Sequence, residues 1–67
     1  MEIKINNQIK NIDENSTLNV VVFSVLGEKT KGIAVALNDK VVSKNNWEVT
    51  KLISNDNVLI IKATQGG

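Results

Sequence analysis

The residues with the clearest chemical use are the last four, Thr64, Gln65, Gly66 and Gly67. Glycine has no Cβ, so a Gly-Gly backbone passes through a narrow channel and takes up angles that other residues resist. The α-carboxylate of Gly67 is then the reactive group at the tip, and the expectation is a flexible tail, residues 64–67, that threads into the active site of another protein. Ordinary glycine usage also produces such a pair by chance in roughly one chain in 200, and a frayed end looks the same, so the rest of the chain has to decide. No side-chain chemistry competes with the tail. There is no Cys and no His, which excludes Cys and His nucleophiles and the usual zinc sites. No catalytic residue and no metal ligand is expected in this chain.

Eight basic residues against seven acids leave a net charge of +1. The basic residues are all lysines, scattered singly from Lys4 to Lys62. Without Arg there is no bidentate recognition of phosphate or guanine, and nucleic acid is not expected as a partner. No apolar run approaches the roughly 18 residues of a membrane span, and the sequence opens on a strand-like pattern instead of a basic segment followed by an apolar one. The expected location is cytoplasmic. The length of 67 residues suits one domain, residues 1–63, which would bury only ~60% of the surface its unfolded form exposes. With no disulfide or metal to staple it, its stability rests on a small apolar core.

Several short elements must build that core. Met1-Glu2-Ile3-Lys4-Ile5 alternates apolar and polar residues, the pattern of a strand with Met1, Ile3 and Ile5 facing inward. Asn6-Asn7 tolerates the positive φ of a tight hairpin turn, which returns the chain through Gln8 to Ile12. Ile9 and Ile12 stand three apart, so either a bulge lies between them or only part of the segment pairs. From Leu18 the apolar positions Leu18, Val21, Val22, Val25 and Leu26 trace the stripe of a core-facing helix. Four valines and a phenylalanine within Leu18 to Leu26 lower the helix propensity and make a buried strand the competing assignment. The flanks favour the helix: Ser16 or Thr17 suits the N-cap and Gly27 a left-handed C-cap. Val20 stands where a capping box would place Glu or Gln.

Ile33-Ala34-Val35-Ala36-Leu37 alternates large and small apolar residues before the turn at Asn38-Asp39-Lys40, and Val41-Val42 forms a short return strand. Ser43 to Trp47 reads as one helical turn capped by Ser43, with Trp47 as a lid over one end of the core. Leu52 and Ile53 extend the packing. Asn55-Asp56-Asn57 is a turn, and the four consecutive apolar residues of Val58 to Lys62 indicate a central strand. That strand should run parallel to the first, with the helix crossing one face, so that Leu18, Val21, Val25 and Leu26 pack on Ile3, Ile5 and Val35. One helix covers one face only. Two of the four residues Val58 to Ile61 therefore lie on the open face beside Ala34 and Ala36; they are assigned as Leu59 and Ile61, with the reverse parity as the alternative, and form a flat apolar patch suited to docking a partner next to the tail.

The stretches Ile3 to Asn7, Thr17-Leu18, Ala36-Leu37-Asn38, Val41-Val42 with the following Trp47, Leu52, Asp56-Asn57-Val58 and Gly66-Gly67 resemble the ThiS family of thiamine-biosynthesis sulfur carriers over essentially the whole length. The resemblance implies an α+β, ubiquitin-like β-grasp fold: a mixed four- to five-stranded sheet with one main helix on one face. Two positions depart from the family pattern, Asn55 where Gly is usual and Val20 where the helix usually has an acid. The implied function is that of a protein cosubstrate and not an enzyme. A ubiquitin-activating-type enzyme would use ATP and Mg²⁺ to adenylate the Gly67 carboxylate, sulfur from a persulfide donor would replace AMP, and thiazole synthase would take sulfur from the resulting thiocarboxylate. Two other readings are a relative of the molybdopterin-synthase small subunit, with the same tail chemistry, and a ubiquitin-like binding or antitoxin-like module with an incidental tail. The former tends to approach Gly-Gly through a Pro-rich segment, and this chain has no Pro.

Overall fold

A computed structural model describes residues 1–29 and 31–62. Strands β1 (Glu2–Ile5) and β2 (Gln8–Asn11) precede helix α1 (Leu18–Leu26), followed by β3 (Ile33–Leu37), β4 (Lys40–Val42), a 3₁₀ helix (Lys44–Val49) and β5 (Asn57–Lys62). The five strands form one mixed sheet in the order β2-β1-β5-β3-β4. β5 is central, parallel to β1 and antiparallel to β3. This is the one-helix, mixed-sheet arrangement that the family resemblance implies.

The turns form where short polar side chains tolerate positive φ. Asn6 and Asn7 (φ 50° and 69°) close the β1–β2 hairpin with Ile5 opposite Gln8, and Asn38 and Asp39 (50° and 71°) do the same between Leu37 and Lys40. Asn55, the residue standing where Gly is usual, has φ 72°. The pairing of β1 with β2 runs without a bulge from Ile5–Gln8 to Glu2–Asn11, and the Ile12 amide donates to the Met1 carbonyl at 2.8 Å. Of the two expectations for the Ile9–Ile12 spacing the bulge is absent, and the strand proper takes in Gln8–Asn11, with Ile12 just beyond it. Ile9 lies opposite Lys4 on the open face and is 61% exposed, whereas Ile12 packs against the core; a three-residue step in a regular strand simply changes face.

The buried set comprises Leu18, Val21 and Val22 of α1, Ile3 and Ile5 of β1, Val35, Val58, Trp47 and Leu52. Met1, Leu26, Ile33 and Leu37 pack against it partly buried, and two expected core residues are exposed. Val25 is 47% exposed and Ile53 68% exposed. Val25 sits over β2, whose helix-facing residues Gln8 and Lys10 pair with Ile5 and Ile3 and offer it no apolar cover. Of the neighbours Leu52 and Ile53, it is Leu52 that takes the inward position, 3% exposed.

Neither Ser16 nor Thr17 caps α1 through its side chain as expected: the Ser16 hydroxyl donates to the Asp13 carbonyl at 2.6 Å, and Thr17 makes no capping bond. The backbone substitutes. Leu18 N–H donates to the Thr50 carbonyl at 2.8 Å, which satisfies the first amide of the helix. At the other end Gly27 has φ 64° and its N–H donates to the Phe23 carbonyl at 2.7 Å. A Cβ there would meet nothing within 4 Å, so backbone angle alone favours glycine.

Ile5, 6% exposed between α1 and β5, tests this core. Ile5→Ala is expected to lower unfolding free energy by about 2–5 kcal/mol. An unchanged midpoint in chemical denaturation would show that β1 is not part of the cooperative core.

Candidate functional site: strand β5 and the open face of the sheet

The predicted tail, Thr64, Gln65, Gly66 and Gly67, lies outside the described residues. What the fold determines is the strand that leads to it. β5 pairs with β1 only at Lys4–Asn57 and Ile5–Val58, because β1 ends in the Asn6–Asn7 turn. Asn6 N–H donates to the Val58 carbonyl at 2.9 Å. Its side chain then continues where the strand stops, with Oδ1 accepting from the Ile60 N–H at 2.8 Å and Nδ2 donating to the Ile60 carbonyl at 3.4 Å. A side-chain amide has the donor and acceptor of a peptide group, so Asn6 acts as one extra strand residue. On its other side β5 pairs with β3 as far as Ile33–Lys62.

The start of β5 is fixed by a second amide. Asn38 Oδ1 accepts from the Asn57 N–H at 2.9 Å, and the Asn38 N–H donates to the Asn57 carbonyl at 2.8 Å. Asn38 Nδ2 donates to Asp56 Oδ1 at 2.9 Å, while Asp56 Oδ2 accepts from the Ile53 N–H at 2.8 Å. Asp56 is the one buried charged residue of the described chain, 5% exposed, and these bonds offset the loss of its hydration. Sequence reasoning assigned Asn6, Asn38 and Asp56 to turns and missed this bracing role. No local pattern marks that role, because the bonds Asn6 and Asn38 make run to residues 54 and 19 positions away.

The structure brings Leu59, Ile61, Ala34 and Ala36 together. Ala36 pairs with Leu59 and Ala34 with Ile61, on the face opposite α1, and Leu59 and Ile61 are 43% and 48% exposed. Val41, opposite Ala36 and 79% exposed, extends the same surface and was not anticipated. These side chains carry neither charge nor hydrogen-bonding groups, so the patch can bury apolar area but cannot perform proton or group transfer. Among the described residues no cluster of His, Cys, Asp or Glu is placed to hold a metal ion, and no helix is long and apolar enough to cross a membrane.

The comparison with curated proteins matched none. The crystal structure of the thiamine biosynthesis protein ThiS from Geobacter metallireducens superposes with a TM-score of 0.84 at 19% identity, covering 100% of both chains. The solution NMR structure of a thiamine biosynthesis protein from the same organism gives 0.77 at 19% identity, over 100% of this chain and 88% of that one. At that identity the likeness speaks for the fold, which is the ubiquitin-like one. The sequence itself is matched by the model of the ThiS family over residues 3–67. A match that spans both the sheet and the Gly-Gly pair leaves no part of the pattern to another family, and the chain belongs to the ThiS family.

Proposed function

We propose that this protein is a sulfur carrier of thiamine biosynthesis, working through the α-carboxylate of Gly67. The observation that carries the reading is the reach of the family match, which runs through Thr64 and Gln65 to Gly66 and Gly67. The chain has no Cys, so no side chain can hold sulfur as a persulfide, and Met1 is a thioether without a transferable sulfur. A free carboxylate is a poor acyl donor. An activating enzyme of the ubiquitin-activating type, holding ATP and Mg²⁺, converts it to an acyl adenylate with AMP as leaving group; the outer sulfur of a persulfide donor attacks the acyl carbon and displaces AMP. A thiol reductant then breaks the S–S bond of the resulting acyl persulfide and is itself oxidised to a disulfide, and the thiocarboxylate left on Gly67 passes its sulfur to thiazole synthase. The carrier contributes no catalytic residue to these steps.

Intact-protein mass spectrometry tests the reading. After incubation with the activating enzyme, ATP and Mg²⁺, a persulfide sulfur donor and a thiol reductant, the mass should rise by one oxygen-to-sulfur exchange confined to the C-terminal peptide. A competent activating enzyme that yields no such species would remove the carrier function.

The patch of Leu59, Ile61, Ala34 and Ala36 is the dock on which the activating enzyme grips the sheet, since it lies on the strand that leads to the tail. Leu59→Asp and Ile61→Asp replace exposed residues and should leave the fold intact. Each is expected to raise the KM for adenylation by about tenfold, the equivalent of ~1.4 kcal/mol, with little change in kcat. An unchanged KM in both variants would place the dock elsewhere.

A further inference from the structure

Between β2 and the C-terminal half of α1 lies an open cleft of about 360 Å³, on the opposite side of the sheet from the Leu59–Ile61 patch. Ile5, Ile12 and Val25 supply its apolar surface, and Gln8, Lys10 and Ser24 are among its polar lining. Among the described residues, Lys10 is the only charged one that lines it. The cleft exists because the helix-facing positions of β2 are Gln8 and Lys10, so Val25 is left half uncovered.

The wall of the cleft is also an edge of the sheet. β2 has β1 on one side and no strand on the other among the described residues. In an antiparallel pair the hydrogen-bonded positions alternate. Ile12 with Met1 is such a pair, since the Ile12 N–H donates to the Met1 carbonyl and the Met1 ammonium to the Ile12 carbonyl. With the observed register, Lys10–Ile3 and Gln8–Ile5 follow in phase. The N–H and C=O groups of Ile9 and Asn11 therefore point away from β1, where a further strand would meet them. No Pro or bulge blocks that edge, the usual means of closing one.

We propose that β2 accepts an extended segment of a partner protein as a sixth strand. The segment's alternate apolar side chains fill the cleft against Ile5, Ile12 and Val25, and an acidic residue in it faces Lys10. Main-chain bonds to Ile9 and Asn11 supply the affinity common to strand addition, and the cleft supplies the selection. The acidic preference follows from charge: the lining contains a lysine and no carboxylate. This surface is separate from the dock for the activating enzyme, so the carrier could hold a second protein while its tail is engaged.

The probe is a blocked synthetic peptide, Glu-Val-Thr-Val-Thr-Val, with a control in which Lys replaces its Glu. In NMR titrations of the intact protein the acidic peptide should shift Gln8 to Ile12 together with Ser24 and Val25, and should slow exchange of the Ile9 and Asn11 amides. Lys10→Glu should weaken it about fivefold, the scale of losing an exposed ion pair, and reverse the preference toward the control. Ile9→Pro removes an outward N–H that β1 does not use, so the hairpin can retain its pairing; binding should be lost. Thiocarboxylate formation should persist in both variants, which separates failure here from failure of the carrier reading. Shifts confined to the Leu59–Ile61 face, equal binding of both peptides, or no binding with the native hairpin intact would overturn the proposal.

Discussion

Removal of Gly67 is expected to abolish thiocarboxylate formation and leave the melting temperature nearly unchanged. The two readouts separate because the proposed chemistry and the described core lie in different parts of the chain. Among the described residues every buried apolar residue lies between Ile3 and Val58, so the truncation is expected to take nothing from that core. The loss of function is not a matter of affinity alone. Without Gly67 the terminal carboxylate belongs to Gly66, one residue short, and reacting groups must meet at roughly 3–3.5 Å for attack; one residue of extended chain spans ~3.3–3.6 Å. Gly66→Val should slow adenylation strongly with the same indifference of stability, because a branched side chain would clash in a channel sized for bare backbone and restrict the angles open to the tip. Retained sulfur loading by the truncated chain would place the acceptor elsewhere. A large fall in melting temperature would show that the last residues belong to the folded core.

Trp47→Ala is the substitution expected to cost most stability. Trp47 is 2% exposed in the 3₁₀ helix beside α1, and its Nε1–H donates to the Val42 carbonyl at 3.0 Å. Truncating a buried Trp costs about 3–5 kcal/mol, while a chain of this length has a total of only ~3–10 kcal/mol at 0.05–0.15 kcal/mol per residue. A large fraction of Trp47→Ala molecules should therefore be unfolded at room temperature, visible as lost far-UV circular dichroism structure; Trp fluorescence disappears with the residue, the only Trp of the chain. Trp47→Phe keeps a ring and loses the indole donor, and it should cost less, about 1 kcal/mol of that being the missing hydrogen bond. Equal denaturation midpoints for native protein and Trp47→Ala would mean that the 3₁₀ segment is an appendage and not the closure of the core.

Much of this architecture is legible in the linear order of residues because it depends on local preferences. Alternation places Ile3 and Ile5 inward, the helical stripe places Leu18, Val21 and Val22, and the Asn pairs mark turns because Asn enters positive φ at low cost. The proposed chemistry is legible for the same reason, since the proposal rests on residue types at one end of the chain and on the absence of Cys and His from the sequence. That two of the four apolar residues of β5 lie on the open face follows from a simple count, since one helix shields one face; that these two are Leu59 and Ile61 is decided by the register of β5 on β3.

Other features depend on which strand lies next to which. Ile9 and Ile12 part company, and Val25 stays uncovered, because the register of β2 sets Gln8 and Lys10 under the helix. The first amide of α1 is satisfied by Thr50, distant in sequence, instead of by its own cap. Asn6 braces Ile60 across 54 positions of sequence, and Asn38 reaches Asn57 across 19. Pattern and propensity are properties of neighbours along the chain. A backbone group left without a partner at the end of a strand is created only when the sheet assembles, and so is the side chain that satisfies it.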